Sequence, residues 1–407
     1  MSKNNSNIFK PCVIGLGYVG LPLLLNLAKK NVSLGYDINK KRVNDLKKGI
    51  DIFGEVDKNE IKKKKINFSS DFKMLKNCNL FIVTVPTPIY KNKNPDLRHL
   101  KNVCEKLSKI LKHNDIIIFE STVYPGVTND YCIPLLEKNN SLIEGKDFFV
   151  GYSPERVNPG DKNHELKKII KILAYPHNYK KKELIKVYSL VGKKIILSKN
   201  IKEAETAKVI ENIQRDVNIG LINEIYLVCK KLKLNFNNVI NLAATKWNFT
   251  KFNPGLVGGH CLPVDPYYFA YISKRNKFNT KITLAGRDIN DAMTGTVKKE
   301  IISNLKQYNS QNNKKILICG LSYKKDVADL RNSLSIKIFN ELKKKNKKIK
   351  GYDPLINLSY AKKHNLITSK NDFLKFDIYV LLTKHSIIEK NLKKVSKDKI
   401  IIDLLGK

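Results

Sequence analysis

Three glycines near the N-terminus constrain the fold more than any other feature of the chain. Gly15, Gly17 and Gly20 form a G-x-G-x-x-G pattern between a short apolar stretch and a run of leucines. In this pattern the first glycine makes a tight turn, the second leaves room for a pyrophosphate, and the third lets a helix pack on a strand. The N-terminus of that helix then holds the phosphates. The pattern therefore predicts a strand, a phosphate-binding turn and a helix, rather than a glycine turn that binds no ligand.

A second apolar stretch indicates which dinucleotide such a turn would bind. Residues 32–36 read as a second strand that ends in Asp37, and an acid about 20 residues beyond the glycines hydrogen-bonds the ribose hydroxyls of NAD. Arg42 lies close enough in the sequence to hold the 2′-phosphate of NADP, which keeps that cofactor as an alternative. The sequence thus favours NAD over NADP.

Apolar stretches alternate with helical or irregular segments over the whole chain. Continuous apolar runs are typical of buried parallel strands, and their alternation with helices predicts an α/β fold. Further strands are predicted at residues 80–85, 116–122 and 148–151, then at 349–353, 378–383 and 400–403. Residues 314–323 open a second strand–turn–helix unit, which has Gly320 but not the full triple-glycine pattern. Asp353 stands in this second unit where Asp37 stands in the first.

The region between these two halves reads as helical. Residues 200–233 carry apolar side chains at steps of three and four, and a second helical stretch covers roughly residues 282–305. We therefore predict an α/β chain with two Rossmann-like domains with parallel sheets, joined by a central helical region with a long helix. The predicted domains are residues 1–198, 199–306 and 307–407. Because helices between two α/β units commonly pack against a twin, we expect a homodimer built through the central helix.

Composition argues against several classes of protein. The seven cysteines are odd in number without a C-x-x-C pair, and the seven histidines lack metal-binding spacing, so we predict neither a disulfide framework nor a metal site. Residues 1–7 are polar and no run approaches the ~18 apolar residues of a membrane span, which predicts a soluble, cytoplasmic protein. The net charge of +39 is spread along the chain in lysine runs such as 62–65, 180–182 and 343–345. It is typical of a solvated surface, with nucleic-acid binding as the alternative.

Residues 253–268 hold the stretch with the most suggestive chemistry. Gly258 and Gly259 remove side chains where something must approach the backbone closely. Cys261 follows, and Asp265 comes four residues later, so a helical turn would put both on one face. A cysteine beside exposed N–H groups near a helix start is where a thiolate is stabilised, which suits a covalent nucleophile. A lone cysteine is more often a small buried apolar side chain, and these residues alone leave both interpretations open.

Other polar residues follow the predicted strands or share a helix face. Thr87, Thr122 and residues 153–156 come at strand ends, which is where ligands of such sheets bind. Each could cap a loop, but their shared position favours one site. Lys208 and Asn212 are four residues apart on the predicted long helix and so share a face, although spacing alone favours a solvated lysine.

Six separated motifs occur in the order of a known family. They are 15–20 (GLGYVG), 121–126 (STVYPG), 153–156 (SPER), 204–212 (AETAKVIEN), 258–261 (GGHC) with Asp265, and 329–332 (DLRN). Together they cover nearly the whole chain, which therefore resembles the UDP-glucose/GDP-mannose dehydrogenase family.

Within that family the chain looks like the branch that oxidises UDP-N-acetylhexosamines. UDP-glucose enzymes usually carry a small residue before the cysteine and a lysine before the acid, and this chain has His260 and Val264 there. Residues 153–161 and 245–249 are most similar to the UDP-N-acetylglucosamine or -galactosamine 6-dehydrogenases of the Vi-polysaccharide type.

The resemblance implies a four-electron oxidation of the sugar C6 alcohol to a carboxylate with two NAD+, for surface polysaccharide synthesis. A water near Thr122 and Asp265 would provide the base route for the first step. Cys261 would attack the intermediate aldehyde, and Lys208 would stabilise the oxyanion. Glu155 would help water to hydrolyse the resulting thioester.

The same resemblance implies the residues of both ligand sites. The cofactor site would comprise Gly15, Gly17, Tyr18, Val19, Gly20, Asp37, Arg42, Thr87, Thr122 and Arg331. The substrate site would comprise Glu155, Arg156, Lys208, Asn212, Asn253, Gly258 and Lys324. Trp247 would pack at the substrate loop.

The resemblance also implies a role for each domain. Residues 1–198 would bind NAD, residues 199–306 would supply catalytic residues and the dimer contact, and residues 307–407 would bind the UDP-sugar. The alternatives are a UDP-glucose 6-dehydrogenase or a UDP-N-acetylmannosamine dehydrogenase. A protein of a different class, which binds nucleotide sugars or nucleic acid without catalysis, is a third.

Overall fold

The computed structural model describes residues 9–54, 56–62, 66–157, 166–308 and 314–404. The predictions that concern residues 1–7, 63–65 and 158–161 lie outside these ranges. The chain forms two compact units, one of Met1–Glu211 with Tyr267–Lys277 and the other of Asn212–Pro266 with Phe278–Lys407. The three domain boundaries predicted from the sequence stay a prediction.

The first unit is built on an eight-stranded sheet. Its strands are β1 (Pro11–Ile14), β2 (Ser33–Tyr36), β3 (Ile66–Ser69), β4 (Leu80–Val83), β5 (Ile116–Phe119), β6 (Phe149–Tyr152), β7 (Ile170–Ala174) and β8 (Lys194–Ser198). Their order is β3-β2-β1-β4-β5-β6-β7-β8. The first six strands of this order are parallel, whereas β7 runs antiparallel to β6 and parallel to β8. The six parallel strands have the order of a dinucleotide-binding sheet.

Both faces of this sheet are covered by apolar side chains. Cys12 and Ile14 of β1 belong to one core, and Val13 between them belongs to another. Because successive strand residues point to opposite faces, the two cores lie on opposite sides of the sheet. The helices of this unit are α1 (Gly20–Leu27), α2 (Lys40–Lys47), α3 (Lys58–Lys62), α4 (Arg98–Leu107), α5 (Ile133–Glu137) and α6 (Lys181–Tyr188).

The strands predicted at the apolar runs are confirmed, although most end earlier than predicted. The prediction omitted β3, β7 and β8. A lysine interrupts the apolar pattern of β7 and another opens β8, and β3 contains Asn67 and ends in Ser69. Short strands with charged or polar residues give no continuous apolar run, which is why the sequence pattern missed them.

The second unit contains a four-stranded parallel sheet in the order β10-β9-β11-β12. Its strands are β9 (Ile316–Cys319), β10 (Ile349–Tyr352), β11 (Ile378–Leu381) and β12 (Ile400–Asp403). The remaining helices of the chain are α7 (Ile201–Lys231), α8 (Phe236–Ala243), α9 (Asp265–Arg275), α10 (Lys281–Tyr308), α11 (Leu334–Lys345), α12 (Leu358–Lys363), α13 (Lys370–Phe373) and α14 (Ser386–Leu392). All four strands of this sheet were predicted from the sequence.

The two longest helices, α7 and α10, confirm the helical stretches predicted for the centre of the chain. In the part of the chain that the structure describes, no helix is long and apolar enough to cross a membrane. The same residues contain no cluster of three or more His, Cys, Asp or Glu side chains that could hold a metal ion.

Candidate active site

The glycine turn between β1 and α1 has the shape that the sequence predicted. Gly15 adopts a φ of +98°, which L side chains rarely adopt. A Cβ at Gly20 would lie 1.9 Å from the carbonyl oxygen of Gly15, so only glycine lets the helix start this close to the strand. Among the described residues, no atom lies within 4 Å of a Cβ built on Gly17. A pyrophosphate can approach the backbone on that open side, so the turn fits the phosphates of NAD.

Asp37, the residue after β2, is bonded to the turn and stays partly exposed. Its Oδ2 accepts the N–H of Leu16 at 2.8 Å, and its Oδ1 accepts the N–H of Asn39 at 2.8 Å. Each carboxylate oxygen can accept a further hydrogen bond, so Asp37 remains able to accept ribose hydroxyls.

Arg42 supports the turn from inside the protein, which differs from the cofactor contact expected from the sequence. Its Nε donates to the carbonyl of Leu16 at 2.8 Å, and its Nη1 lies 2.8 Å from Asp51 Oδ1. The guanidinium also stacks over the ring of Phe53. Because the Arg42 side chain is buried, its charge is not presented to a 2′-phosphate in this arrangement.

The second unit contains a turn at Gly320 that resembles the turn at Gly15 in the first unit. Gly320 has a φ of +79°, and Asp353 Oδ2 accepts the N–H of Leu321 at 2.8 Å. This is the bond that Asp37 makes to Leu16 in the first unit. The predicted equivalence of Asp353 and Asp37 is therefore confirmed.

A buried histidine closes the second turn. His385 Nε2 lies 3.0 Å from Asp353 Oδ2 and 2.9 Å from Ser322 Oγ, while its Nδ1 accepts the N–H of Asp326 at 2.8 Å. Burial raises the pKa of Asp353, but the hydrogen bond and charge of His385 and the N–H groups of Ser322 and Leu355 together outweigh burial and lower that pKa. The acid of the second turn is thus satisfied within the protein, whereas the acid of the first turn remains partly exposed.

Glu155 belongs to a buried cluster that lies just beyond the ends of β5 and β6 and at the beginning of β7. Its Oε1 accepts the N–H groups of Arg156 at 2.6 Å and Val157 at 2.5 Å. Its Oε2 lies 3.2 Å from the ammonium of Lys171, which also donates to Glu120 Oε2 at 2.6 Å. Glu155 was predicted from the sequence, whereas Lys171, which holds it, and Glu120, which pairs with Lys171, were not.

The predicted threonines lie together, beside an aromatic side chain. Thr87 Oγ1 donates to the carbonyl of Thr122 at 2.5 Å, and the hydroxyl of Tyr268 donates to the carbonyl of Thr87 at 2.5 Å. The Thr87 hydroxyl is therefore used to fix the backbone at Thr122. The Thr122 side chain is half-buried.

Arg156 and Lys208 differ in how their charges are used. Arg156 Nη2 pairs with Glu211 Oε1 at 2.7 Å, and its Nη1 donates to the carbonyl of Ile170 at 3.2 Å. Lys208 is buried on α7, yet no carboxylate among the described residues lies within ion-pair distance of it. The solvated position that spacing alone favoured for Lys208 is not observed.

Cys261 lies in the turn that leads into α9. Its carbonyl oxygen accepts the N–H groups of Val264 and Asp265, both at 2.9 Å, and these bonds close the turn from which the helix begins at Asp265. Its side chain is half-buried, whereas the remaining cysteines, Cys12, Cys78, Cys104, Cys132, Cys229 and Cys319, are buried. Partial exposure at a helix start is the setting in which a thiolate is stabilised and can react.

The two glycines before Cys261 make room for another loop of the same unit. A Cβ at Gly258 would lie 2.7 Å from the carbonyl oxygen of Asn332, and a Cβ at Gly259 would lie 2.9 Å from the ring of Tyr323. Gly259 has a φ of +91°, and its N–H donates to the carbonyl of Asn332 at 3.3 Å. The close approach predicted at these glycines is confirmed, and it is made by the protein itself.

Buried polar side chains hold both ends of the loop that carries Cys261. Asn223 of α7 binds Gly255 twice, accepting its N–H at 2.7 Å and donating to its carbonyl at 3.1 Å. Arg287 of α10 donates to the carbonyl of Leu262 at 3.4 Å and to Asp216 Oδ1 at 2.5 Å. Asn223, Arg287 and Asp216 have no exposed surface. Two long helices therefore fix the loop on either side of the cysteine.

Asp265 is held by the residue expected to share its site. Asn212 Nδ2 donates to Asp265 Oδ2 at 2.5 Å, and Asp265 is buried. Asn212 follows Lys208 by one helical turn on α7, as the sequence predicted.

The remaining predicted residues of the second unit lie on loops. Arg331 is exposed and forms a bidentate ion pair with Asp329, with its Nε 3.0 Å from Oδ1 and its Nη2 2.7 Å from Oδ2. Burial and the positive charge of Arg331 lower the pKa of His260, whereas the negative charge of Asp329 opposes this shift. Lys324 is half-buried and Asn253 is exposed.

Trp247 does not pack against the part of the chain that the structure describes, contrary to the prediction. Its side chain is 92% exposed.

All three parts of the chain match one protein family. Residues 9–191 match the NAD binding domain, residues 202–292 the central domain and residues 317–406 the UDP binding domain of the UDP-glucose/GDP-mannose dehydrogenase family.

Individual relatives support this family assignment, and the alignments cover most of this chain and of each relative. The chain is 40% identical to the UDP-N-acetyl-D-glucosamine 6-dehydrogenase of Pseudomonas aeruginosa, over 97% of this chain and 96% of that protein. It is 41% identical to the UDP-N-acetyl-D-glucosamine 6-dehydrogenase of Salmonella typhi, over 85% and 82%. The structure of UDP-D-ManNAc dehydrogenase from Pyrococcus horikoshii superposes with a TM-score of 0.83 at 31% identity, over 97% and 94%. The chain therefore belongs to the UDP-glucose/GDP-mannose dehydrogenase family and is an NAD-dependent dehydrogenase.

Proposed function

We propose that the chain oxidises the C6 alcohol of a UDP-N-acetylhexosamine to the uronate through a thioester on Cys261, for surface polysaccharide synthesis. The observation that carries the proposal is the half-buried Cys261 in the turn before α9, a helix whose first residue, Asp265, is bonded to Asn212. When bound, NAD+ accepts the hydride in each of the two oxidations. One alcohol, two NAD+ and one water become one carboxylate, two NADH and three protons.

The first half of the reaction needs a base and the second a nucleophile. Thr122 and Asp265 hold a water that takes the hydroxyl proton of the alcohol. The Cys261 thiolate then forms a bond to the aldehyde carbon, and the carbonyl oxygen becomes an oxyanion. Lys208 stabilises that oxyanion, and the lack of a carboxylate partner for Lys208 among the described residues supports this role. Loss of the second hydride converts the thiohemiacetal to a thioester.

Hydrolysis releases the product and restores the thiol. Glu155 accepts a proton from water as the water oxygen bonds to the thioester carbon, and the carbon–sulfur bond breaks. The carboxylate of Glu155 is held by backbone N–H groups and by Lys171, so its orientation is fixed before the substrate binds.

The substrate is assigned from the relatives and from two residues next to the catalytic ones. The relatives named for UDP-N-acetyl-D-glucosamine share 40% and 41% identity with the chain, against 31% for the UDP-D-ManNAc enzyme. His260 and Val264 stand where UDP-glucose enzymes usually carry a small residue and a lysine. UDP-N-acetylglucosamine or UDP-N-acetylgalactosamine is therefore the proposed substrate.

A panel of UDP-sugars tests this assignment directly. Purified protein is mixed with NAD+ and each sugar, and NADH formation is followed by absorbance. Both N-acetylated UDP-hexosamines should turn over faster than UDP-glucose, and Cys261→Ala should form no uronate. Faster turnover of UDP-glucose than of both N-acetylated sugars would contradict the substrate assignment, and a fully active Cys261→Ala variant would contradict the mechanism.

The three parts of the chain have separate roles in this proposal. Residues 1–198 bind NAD, residues 199–306 carry Lys208, Asn212 and Cys261, and residues 307–407 bind the UDP-sugar, with Lys324 as a contact. Arg331 would be a further contact of the nicotinamide cofactor.

We also propose that the protein is a homodimer in which α7 packs against its twin. Ile210, Leu221 and Val228 of α7 are each about half exposed, at 49%, 52% and 49%. Their spacing places them on one stripe of the helix, and an apolar stripe facing water is suited to a partner. Sedimentation velocity should show a dimer that Leu221→Glu converts to a monomer. A monomeric unaltered protein at micromolar concentration would contradict this.

A further inference from the structure

A lysine with no exposed surface lies between two carboxylates in the first unit. Lys171 belongs to β7, and its ammonium lies 2.6 Å from Glu120 Oε2 and 3.2 Å from Glu155 Oε2. Placing an ammonium in a protein core is strongly unfavourable unless it is paired. The position of Lys171 therefore depends on these carboxylates, and they depend on it.

Each oxygen of Glu120, the other carboxylate of this cluster, has its own hydrogen-bond partner. Glu120 Oε1 accepts the hydroxyl hydrogen of Tyr188 at 2.9 Å, and Glu120 Oε2 accepts from Lys171. Burial raises the pKa of Glu120, with Lys171 opposing the rise and the charge of Glu155 adding to it. Burial alone would lower the pKa of Lys171, but Glu120 and Glu155 outweigh it and raise that pKa. The lysine therefore stays an ammonium at neutral pH.

Glu155 is the most exposed of the three charged residues in the cluster. It follows β6 and keeps a small exposed surface, and its Oε1 is fixed by the N–H groups of Arg156 and Val157. The only side chain that holds its Oε2 among the described residues is that of Lys171. Without this contact one oxygen of the carboxylate would lose its partner and the group could rotate.

We propose that Lys171 is a positioning residue for thioester hydrolysis, because it holds Oε2 of Glu155 in the orientation that receives the proton of the attacking water. This inference rests on the proposed function. In the hydrolysis, the water oxygen bonds to the thioester carbon and its proton moves to Glu155. The carbon–sulfur bond then breaks, and the sulfur recovers a proton. Lys171 exchanges no proton and touches neither the substrate nor the cofactor.

The proposal predicts a defect confined to one step. Lys171→Met removes the ammonium and keeps a side chain of similar length. The first hydride transfer does not use Glu155, so the initial burst of NADH should remain. Hydrolysis should slow by about 10- to 100-fold, as expected when a catalytic group is misplaced. The Cys261 thioester should therefore accumulate, and intact-protein mass spectrometry after mixing with UDP-sugar and NAD+ should show the added mass.

A second variant separates positioning from simple stabilisation of the core. Lys171→Met leaves Glu120 buried without its cation, which destabilises the fold independently of Glu155. In Lys171→Met/Glu120→Gln that buried charge is removed as well, while the contact to Glu155 is still absent. This double variant should fold and should still accumulate the thioester. Lys194→Met, which removes an exposed lysine from the neighbouring strand β8, is the matched control and should behave as the unaltered protein.

Two results would overturn the inference. One is a double variant that hydrolyses the thioester at the unaltered rate, since Lys171 would then serve only to neutralise Glu120. The other is a Lys171→Met variant in which the NADH burst and the later steps fall equally. Failure of the proposed function is distinguishable from both, because the unaltered protein would then form no adduct that Cys261→Ala abolishes.

Discussion

Breaking the buried ion pair between Asp216 and Arg287 should strongly destabilise the second unit. Both side chains have no exposed surface, and the two charged atoms are 2.5 Å apart. Replacement of Arg287 by methionine leaves the Asp216 carboxylate in the core without its cation. Breaking a buried pair in this way costs about 3–5 kcal/mol. Because Asn290 still donates to the same carboxylate oxygen at 3.0 Å, we expect a loss of unfolding free energy at the low end of this range, about 3 kcal/mol.

Hydrogen exchange at individual amides measures this loss of stability within the second unit. A loss of about 3 kcal/mol should speed exchange of the most protected amides of α10 by about 10²-fold. Amides of β4, in the first unit, should be unchanged and act as the internal reference. The double variant Asp216→Asn/Arg287→Met removes the charge as well as its partner, so most of the lost protection should return.

The pH dependence of the same variant provides an independent check. Burial raises the pKa of Asp216 to about 6, with Arg287 opposing the rise. A carboxyl whose pKa is higher in the folded than in the unfolded state loses its stabilising contribution as pH rises through the folded value. Loss of Arg287 raises that pKa further, so the deficit of Arg287→Met should be smaller at pH 5 than at pH 8. An equal deficit at both pH values, or one below about 1 kcal/mol, would refute the reasoning.

Three further outcomes follow from other residues. Asp37 should repel a 2′-phosphate, so kcat/KM should favour NAD+ over NADP+ by at least about tenfold, and equal values would contradict its assignment. Cys261→Ser should stall near one NADH per sugar or trap a covalent sugar on residue 261, visible by mass spectrometry, because serine is a weaker nucleophile. Burial raises the pKa of Asp115 to about 6, although the N–H and charge of Lys112 oppose it. Unfolding free energy should therefore fall between pH 4 and pH 7 by about 2 kcal/mol more in the unaltered protein than in Asp115→Asn, and parallel pH curves would exclude this.

The local patterns of the chain were predictable because they depend on neighbouring residues. The turn at Gly15 and Gly20 is specified by backbone conformation and by the contact of one glycine with the other. The role of Asp353 was predictable for the same reason, since it repeats a short strand–turn–acid pattern. Such features require only a few consecutive residues, so the sequence shows them directly.

The supporting charges of the site were not predictable, because they come from distant parts of the chain. Lys171 meets Glu120 across 51 residues of sequence, and Arg287 meets Asp216 across 71. A lysine inside the apolar run of β7 was the one available signal, since a charge in such a run requires a buried partner. The sequence did not indicate which carboxylate that partner would be.

The contact of Gly258 and Gly259 with Tyr323 and Asn332 makes Cys261 a natural reporter. The backbone two and three residues before the thiol rests on the loop that also contains Lys324, the proposed UDP-sugar contact. A nucleotide that tightens this loop will restrict the cysteine as well, before any oxidation takes place. The rate at which iodoacetamide alkylates Cys261 should therefore fall as UDP alone is added, which turns a single thiol into a label for nucleotide binding in the absence of NAD and turnover.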